Sequence, residues 1–351
     1  MLKSLFFNSL KLFFIFKKTA IPKNPKKILV IRMGGIGDVL MSTPLVRNLR
    51  LAYPNAQIDY LVGDWAKIAL KGNRDVSRVI AYDEKVILGK KFFKIAKLTG
   101  KIRKEHYDIC FILDKHWFFN LLAFFIAPFR VGFDRFGEGF CNNINMKYTG
   151  KKYELEYYLD LLRKMKILVK HEKMVIEWGD EIYARKLLKN WRKTATLIPG
   201  AAVNPGQKLL AKRWPKDSYI ELGKRLLSRG YKVIIIGADT DRKICDEVES
   251  KLEGAFNLAG ISIEMQVGVM KKSSYVITHD SGPMHIAAAA GARLIAIFGP
   301  TDAERFAPKN AIVLTKKPKN VRCYDVYGHY DKRCDMWTSK VTVDDVLRHI
   351  K

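Results

Sequence analysis

The chain has only five cysteines in 351 residues, at positions 110, 141, 245, 323 and 334. So sparse a set builds no disulfide framework. A chain long enough to bury full cores needs none, so reduced thiols are the expectation. Cys323, His329 and Cys334 are spaced too irregularly to resemble a zinc motif. Acidic residues are also scarce. Against 63 lysines and arginines stand 35 aspartates and glutamates, leaving a formal charge of +28. The excess is scattered lysine, which suits a solvated basic surface more than a single groove. Such a surface attracts phosphates, nucleic acid or anionic lipid.

A long charge-free apolar run is missing as well. The N-terminal stretch LKSLFFNSLKLFFIFKK (2–18) is interrupted by Lys11 and is short for a bilayer span. No small-residue cleavage site follows it, which argues against a signal peptide. As a helix it gathers Phe6, Leu10, Phe13 and Phe14, with Lys3, Lys11, Lys17 and Lys18 reaching toward headgroups. Lys23, Lys26 and Lys27 add attraction to an anionic leaflet. The expectation is an amphipathic membrane-associating segment over 1–24. A hydrophobic tail folded onto the protein is the other reading.

What is present is an alternation of apolar strands and helices. KILVI (27–31) is a central strand, followed by the glycine turn Gly34-Gly35-Ile36-Gly37 and a helix from about Asp38 to Ala52, with Pro44 expected to kink it. Strands follow at 58–62, 79–81 and 107–113, with helices at 90–104 and 154–168. The alternation restarts with strands at 194–198, 231–236, 275–278 and 294–298. This predicts an α/β chain of two Rossmann-like, doubly wound domains facing a cleft, over 25–170 and 171–351. Ligands then belong at the carboxyl ends of the strands.

One stretch concentrates chemistry at such an end: HDSGPMHIAAAAG (279–291). Asp280 or Ser281 caps the coming helix, and Pro283 suits its first turn. Backbone N–H groups at Ser281, Gly282, Met284 and His285, with the helix dipole, form a phosphate site. An ordinary capped helix with a core histidine has the same sequence.

DSGPMHIAAAAGARLIAIFGPTD (280–302) resembles the C-terminal signature of the ADP-heptose:lipopolysaccharide heptosyltransferases, glycosyltransferase family nine. ILVIRMGGIGDVLMSTPLVRNLR (28–50) resembles the family's opening strand, turn and helix, and AKRWP (211–215) a third block in the right order. The resemblance covers residues 27–350. It implies the GT-B fold, with the sugar nucleotide mostly on the C-terminal domain and the acceptor mostly on the N-terminal one.

The resemblance also implies roles. Asp38 matches the aspartate proposed as general base, near Gly34, Gly35 and Gly37. Lys212 matches the lysine that meets the donor phosphates, with Arg213 beside it. Asp280, Ser281, Gly282, Met284 and His285 match the donor-binding turn, Asp280 on sugar or ribose hydroxyls. Asp239-Thr240-Asp241 is a D-x-D, but its place after a Rossmann strand favours a ribose contact from Asp241 over a metal site. Ile261 falls where the family lines the adenine pocket. Residues 202–210 lack hydroxyl residues that some relatives place before the lysine. Arg130, Asp134 and Arg135 are candidates for the acceptor side.

These readings converge on an inverting, metal-independent, cofactor-free glycosyltransferase at the cytoplasmic face of the inner membrane. It would move heptose from ADP-heptose to a lipopolysaccharide core or related lipid-linked glycan and bind no nucleic acid. A transferase using another nucleotide sugar, and a non-catalytic basic protein of nucleic acid or membrane surfaces, are the alternatives.

Overall fold

The computed structural model describes residues 6–7, 9–11, 20–83, 85–86, 89, 91–204, 207–324 and 329–351. The chain divides into two compact units, Met1–Met174 and Val175–Lys351.

The first unit is built on a six-stranded sheet in the order β3-β2-β1-β4-β5-β6. Its strands are β1 (Lys27–Arg32), β2 (Gln57–Gly63), β3 (Arg78–Tyr82), β4 (Ile109–Ile112), β5 (Phe129–Asp134) and β6 (Ile144–Lys147). All pairs are parallel. Ile28, Leu29, Val30 and Ile31 of β1 are fully buried between β2 and β4, as a continuous apolar run in a two-sided parallel sheet should be. This is the Rossmann strand order, in which the chain reverses direction at β1 and β4.

The helix Ile36–Ala52 begins two residues earlier than expected, so Asp38 is its third residue, not its opener. It runs through Pro44, which lacks the N–H that would reach the Leu40 carbonyl. The Thr43 hydroxyl donates to that carbonyl instead, at 2.8 Å. Asn48, buried on the same helix, accepts from the Lys170 and His171 amides at 2.7 and 3.1 Å. It thereby pins the end of the first unit to its own opening helix.

Part of the N-terminal segment is described. Phe7 is buried, its ring stacked on Phe140 at 5.5 Å and tilted against Trp117 at 6.2 Å. Leu10 and Phe124 pack around them, while Phe6 is 59% exposed. At Phe7 the segment therefore packs on the protein. Lys3, Phe13, Phe14, Lys17 and Lys18 lie outside the described residues.

The second unit repeats the same topology. Its six-stranded sheet has the order β11-β10-β7-β12-β13-β14, again all parallel. The strands are β7 (Thr194–Ile198), β10 (Lys232–Ile235), β11 (Phe256–Asn257), β12 (Tyr275–His279), β13 (Leu294–Phe298) and β14 (Ile312–Thr315). The two-residue strands β8 (Val203–Asn204) and β9 (Gln207–Lys208) form a small hairpin after β7. Trp214, Tyr219, Leu222 and Val346 fill the core on one face of the main sheet. The last helix, Val343–Leu347, opens with the capping box expected from Thr342 and Asp345.

The expectation of reduced thiols fails at one pair. Cys323 and Cys334 form a disulfide, with Cα atoms 5.8 Å apart. Tyr324 and Tyr330, just inside the two cysteines, pair through an isolated antiparallel bridge. Spacing alone could not reveal that. Cys110, Cys141 and Cys245 are free and buried.

Candidate functional site

The residues singled out in the second unit gather where β7, β10 and β12 end. After β12 comes Asp280, buried in spite of its charge. Lys212 Nζ lies 2.9 Å from its carboxylate. Burial opposes ionisation of Asp280, yet Lys212, Thr301 and His285 hold its carboxyl below the ordinary aspartate range. The AKRWP block supplies this lysine through its tryptophan. Trp214 is fully buried, meets Tyr219 edge-on at 5.0 Å and donates from Nε1 to the Val341 carbonyl at 2.8 Å. Thr338 ties the same turn down by donating to the Ala211 carbonyl at 2.6 Å.

Next to it, the turn after β7 is strained. Ala201 and Ala202 both adopt left-handed backbone, with φ of 67° and 63°. Non-glycine residues hold such a conformation only where the surroundings enforce it. Arg213 Nε donates to the Ala201 carbonyl at 2.9 Å, and the Ala201 amide donates to Asp241 Oδ1 at 2.8 Å. Gly200 leaves room for this: a Cβ there would meet the Asp241 carboxyl carbon at 2.3 Å. Asp241 also accepts from the Ala238 amide and pairs with Arg213 at 3.3 Å. Its carboxylate thus braces the turn. Asp239 differs: its side chain is 82% exposed and pairs with Arg242 at 3.0 Å. The two carboxylates of the D-x-D face different partners and do not converge on one point. Among the described residues no group of three or more His, Cys, Asp or Glu is arranged to hold a metal ion.

The helix after Asp280 runs from Gly282 to Ala289, with Ser281 at its cap position and Pro283 in the first turn. Ser281 does not cap with its side chain; its hydroxyl donates back to the His279 carbonyl at 3.1 Å. The Met284 amide donates to the Ser281 carbonyl at 3.1 Å. Met284 and His285 are buried, and Gly282 is half-buried. Ile261 is half-buried, and its carbonyl accepts from the buried Gln266 amide at 3.0 Å.

Two further contributors, His279 and Tyr324, were given no role from sequence. His279, at the end of β12, is fully buried and accepts or donates at Nδ1 with the Tyr219 hydroxyl, 3.3 Å away. Burial, then the positive charges of Arg213 and Lys212, push its pKa down to about 3, so it is neutral. Tyr324, beside the disulfide, buries its hydroxyl; burial and then Asp280, Asp335 and Asp302 raise its pKa. Only the folded loop brings it there.

In the first unit, Asp38 lies at the carboxyl end of β1, and Arg32 Nη2 stands 2.9 Å from its carboxylate. Arg32 also pairs with Asp114, which accepts from the Met33 amide at 2.8 Å. Burial works against the guanidinium's charge, but Asp38, Tyr158, Asp114 and Glu154 keep it firmly protonated. Gly34 is needed for space: a Cβ there would lie 2.8 Å from the Arg32 guanidinium carbon. Gly35 takes the helix cap position with extended backbone, and Gly37 is buried in the first turn. Behind Arg32, Lys115 pairs with buried Glu154 and lies 5.1 Å from the Tyr148 and Tyr158 ring centres. Burial lowers the Lys115 pKa, and Glu154 opposes that shift.

The acceptor candidates do not gather there. Arg130 is buried and donates to the Cys141, Ala127 and Pro128 carbonyls. Arg135 pairs with buried Glu138 at 2.7 Å, and Asp134 accepts from the Gly137 amide at 2.6 Å. Arg130 thus ties together the chain before and after β5, while Arg135 and Asp134 engage the turn that follows it.

The family model for glycosyltransferase family 9 (heptosyltransferase) matches residues 95–325. The chain is 30% identical to lipooligosaccharide heptosyltransferase 2 of Haemophilus influenzae over 311 residues, covering 80% of this chain and 85% of the relative. A solved family 9 glycosyltransferase from Veillonella parvula superposes with a TM-score of 0.77 at 21% identity, covering 94% of this chain and 97% of that one. The Escherichia coli heptosyltransferase WaaC, solved with ADP-2-deoxy-2-fluoro heptose, gives a TM-score of 0.71 at 18% identity, with 92% and 98% covered. The fold is therefore GT-B, as its two parallel six-stranded sheets indicated. The chain is a glycosyltransferase and belongs to glycosyltransferase family 9, the heptosyltransferase family.

Proposed function

We propose that this enzyme transfers heptose from ADP-heptose to a lipopolysaccharide core or a related lipid-linked glycan, with inversion at the anomeric carbon. The observation that carries this reading is the Lys212–Asp280 pair at the end of β12, beside the start of the helix Gly282–Ala289. A cation and a helix N-terminus side by side suit a diphosphate leaving group.

The chemistry follows from the residues. Asp38 takes a proton from the acceptor hydroxyl as its oxygen attacks the anomeric carbon. Arg32 fixes the Asp38 carboxylate through its own fork, anchored on Asp114. The glycosidic bond to the diphosphate breaks, and Lys212 stabilises the negative charge that develops on the departing oxygen. Asp280 holds Lys212 ready and turns to sugar or ribose hydroxyls when the diphosphate takes the lysine. Arg213 and Asp241 support this from behind by pinning the strained Ala201–Ala202 turn. The design needs no metal, since side chains and backbone supply the positive charge.

The enzyme works on the cytoplasmic face of the inner membrane, held there by its basic surface and residues 1–24. Among the described residues no helix is long and apolar enough to cross a membrane. The deciding experiment is a panel of nucleotide sugars, read by thermal shift and by release of nucleoside diphosphate. ADP-heptose should give the largest shift and the fastest release. A larger response to a different nucleotide sugar would replace the donor while keeping the reaction.

A further inference from the structure

The helix Phe92–Arg103 has an unusual surface. It buries Ile95, Leu98 and Ile102 in the first unit's core. On its other side Phe92 is 71% exposed and Phe93 is 95% exposed. Lys91, Lys94, Lys97, Lys101, Arg103 and Lys104 are exposed too, and the helix contains no acidic residue. Phe93, Lys97 and Lys101 follow one another at spacings of four and so form a stripe along the helix. The helix packed beside it, Trp117–Ile126, carries no charged residue and leaves Phe125 48% exposed.

Two adjacent phenylalanines standing in water are not explained by the core, which Ile95, Leu98 and Ile102 already satisfy. The pattern has a direction: an apolar tip, then a cationic shank. Proteins that stack successive bases need rings spread among their cations along the strand's path. Here both rings sit at one end. An apolar wedge backed by lysines matches an anionic lipid interface, where rings enter the acyl boundary and ammonium groups stay with the headgroups.

We propose that the start of the helix Phe92–Arg103 is a membrane-contact surface, in which Phe92 and Phe93 enter an anionic leaflet and Lys94, Lys97 and Lys101 engage its headgroups. It deepens the membrane reading above and uses residues separate from 1–24. Together the two elements provide the two signals that stable peripheral binding requires.

The test uses the full chain and sedimentation with vesicles of phosphatidylglycerol and phosphatidylcholine, against phosphatidylcholine alone. Phe92→Ser/Phe93→Ser should weaken binding to the anionic vesicles by roughly tenfold or more, since two rings leave the interface. Lys94→Ser/Lys97→Ser/Lys101→Ser should reduce the preference for anionic over neutral vesicles by about fivefold per lysine. Because all five side chains are exposed, both variants should keep the wild-type thermal midpoint. Phe93→Trp should add emission that brominated acyl chains quench. A chain lacking 1–24 separates the two elements. If it sediments like the full chain while the double serine variant does not, this surface stands and the N-terminal anchor falls. If truncation abolishes binding and the double serine variant binds like wild type, the proposal is overturned. Unquenched Phe93→Trp emission, or binding to an oligonucleotide but not to vesicles, overturns it as well.

Discussion

Lys212 and Asp280 face each other as an ion pair, Nζ to carboxylate, at 2.9 Å. In the free chain the lysine needs a counter-charge, and Asp280 needs relief from burial. Each therefore stabilises the other until an anion replaces the carboxylate as the lysine's partner.

The first prediction follows from that exchange. Lys212→Ala should lower kcat by about a hundredfold to a thousandfold, the range seen on removing a group that stabilises developing negative charge. Asp280 is then buried without its cation, so a lower thermal midpoint should accompany the loss. Lys212→Arg should retain the midpoint and part of the rate. Steady-state kinetics with ADP-heptose read this, and a Lys212→Ala enzyme with wild-type kcat would remove the lysine from the reaction.

Asp38 and Arg32 set the second. Asp38→Asn should leave the fold and donor-induced thermal shift unchanged and cut turnover by roughly a hundredfold or more. Arg32→Lys should fall between the two, because an ammonium keeps the charge but cannot bridge Asp38 and Asp114 with one planar fork. Single-turnover rates separate this from slow product release. Normal turnover in Asp38→Asn would end the base assignment.

The third concerns pH. Folded His279 titrates at about 3, against an ordinary 6.5. Below pH 6.5 the unfolded chain therefore takes up a proton that the folded chain refuses. Stability should decline as pH falls from 6.5 toward 3. Asp280 has a lowered carboxyl pKa, so its contribution is complete above the ordinary aspartate value and is lost only below it. Glu105, Glu181 and Glu247 also have lowered carboxyl pKa values and enter as pH nears their ordinary 4.5, so the slope just below pH 6.5 belongs to histidine. Thermal midpoints across that window should flatten in His279→Gln; an unchanged slope would assign the acid sensitivity elsewhere.

Metal removal supplies the fourth. With Lys212, Arg213 and a helix start as the positive groups, activity should survive exhaustive EDTA treatment. If activity vanished and returned with magnesium or manganese, Asp239 and Asp241 would need a new role.

Much of this was open to reading in the linear chain. The apolar runs at 27–31, 231–236 and 294–298 specify buried parallel strands because their side chains find apolar partners on both faces. The AKRWP block has a local structural reason, because Trp214 anchors its own neighbours. The glycine turn before Asp38 was recognisable, but only the fold shows that a Cβ at Gly34 would crowd the Arg32 guanidinium.

Other features were settled by folding alone. Arg130, Arg135 and Asp241 look in sequence like residues awaiting a ligand, yet in the fold they meet carbonyls, a glutamate and a strained turn. Charge type is a local property, but whether a charge is spent depends on neighbours far along the chain. The same holds for Arg32 with Asp114, for Cys323 with Cys334 and for His279 with Tyr219. The two sheets and the strand ends where chemistry gathers follow from the linear chain, because hydrophobic periodicity and turn residues act over short range. Which polar groups are engaged follows from the folded arrangement, because burial and pairing are set by side chains brought together from separate strands.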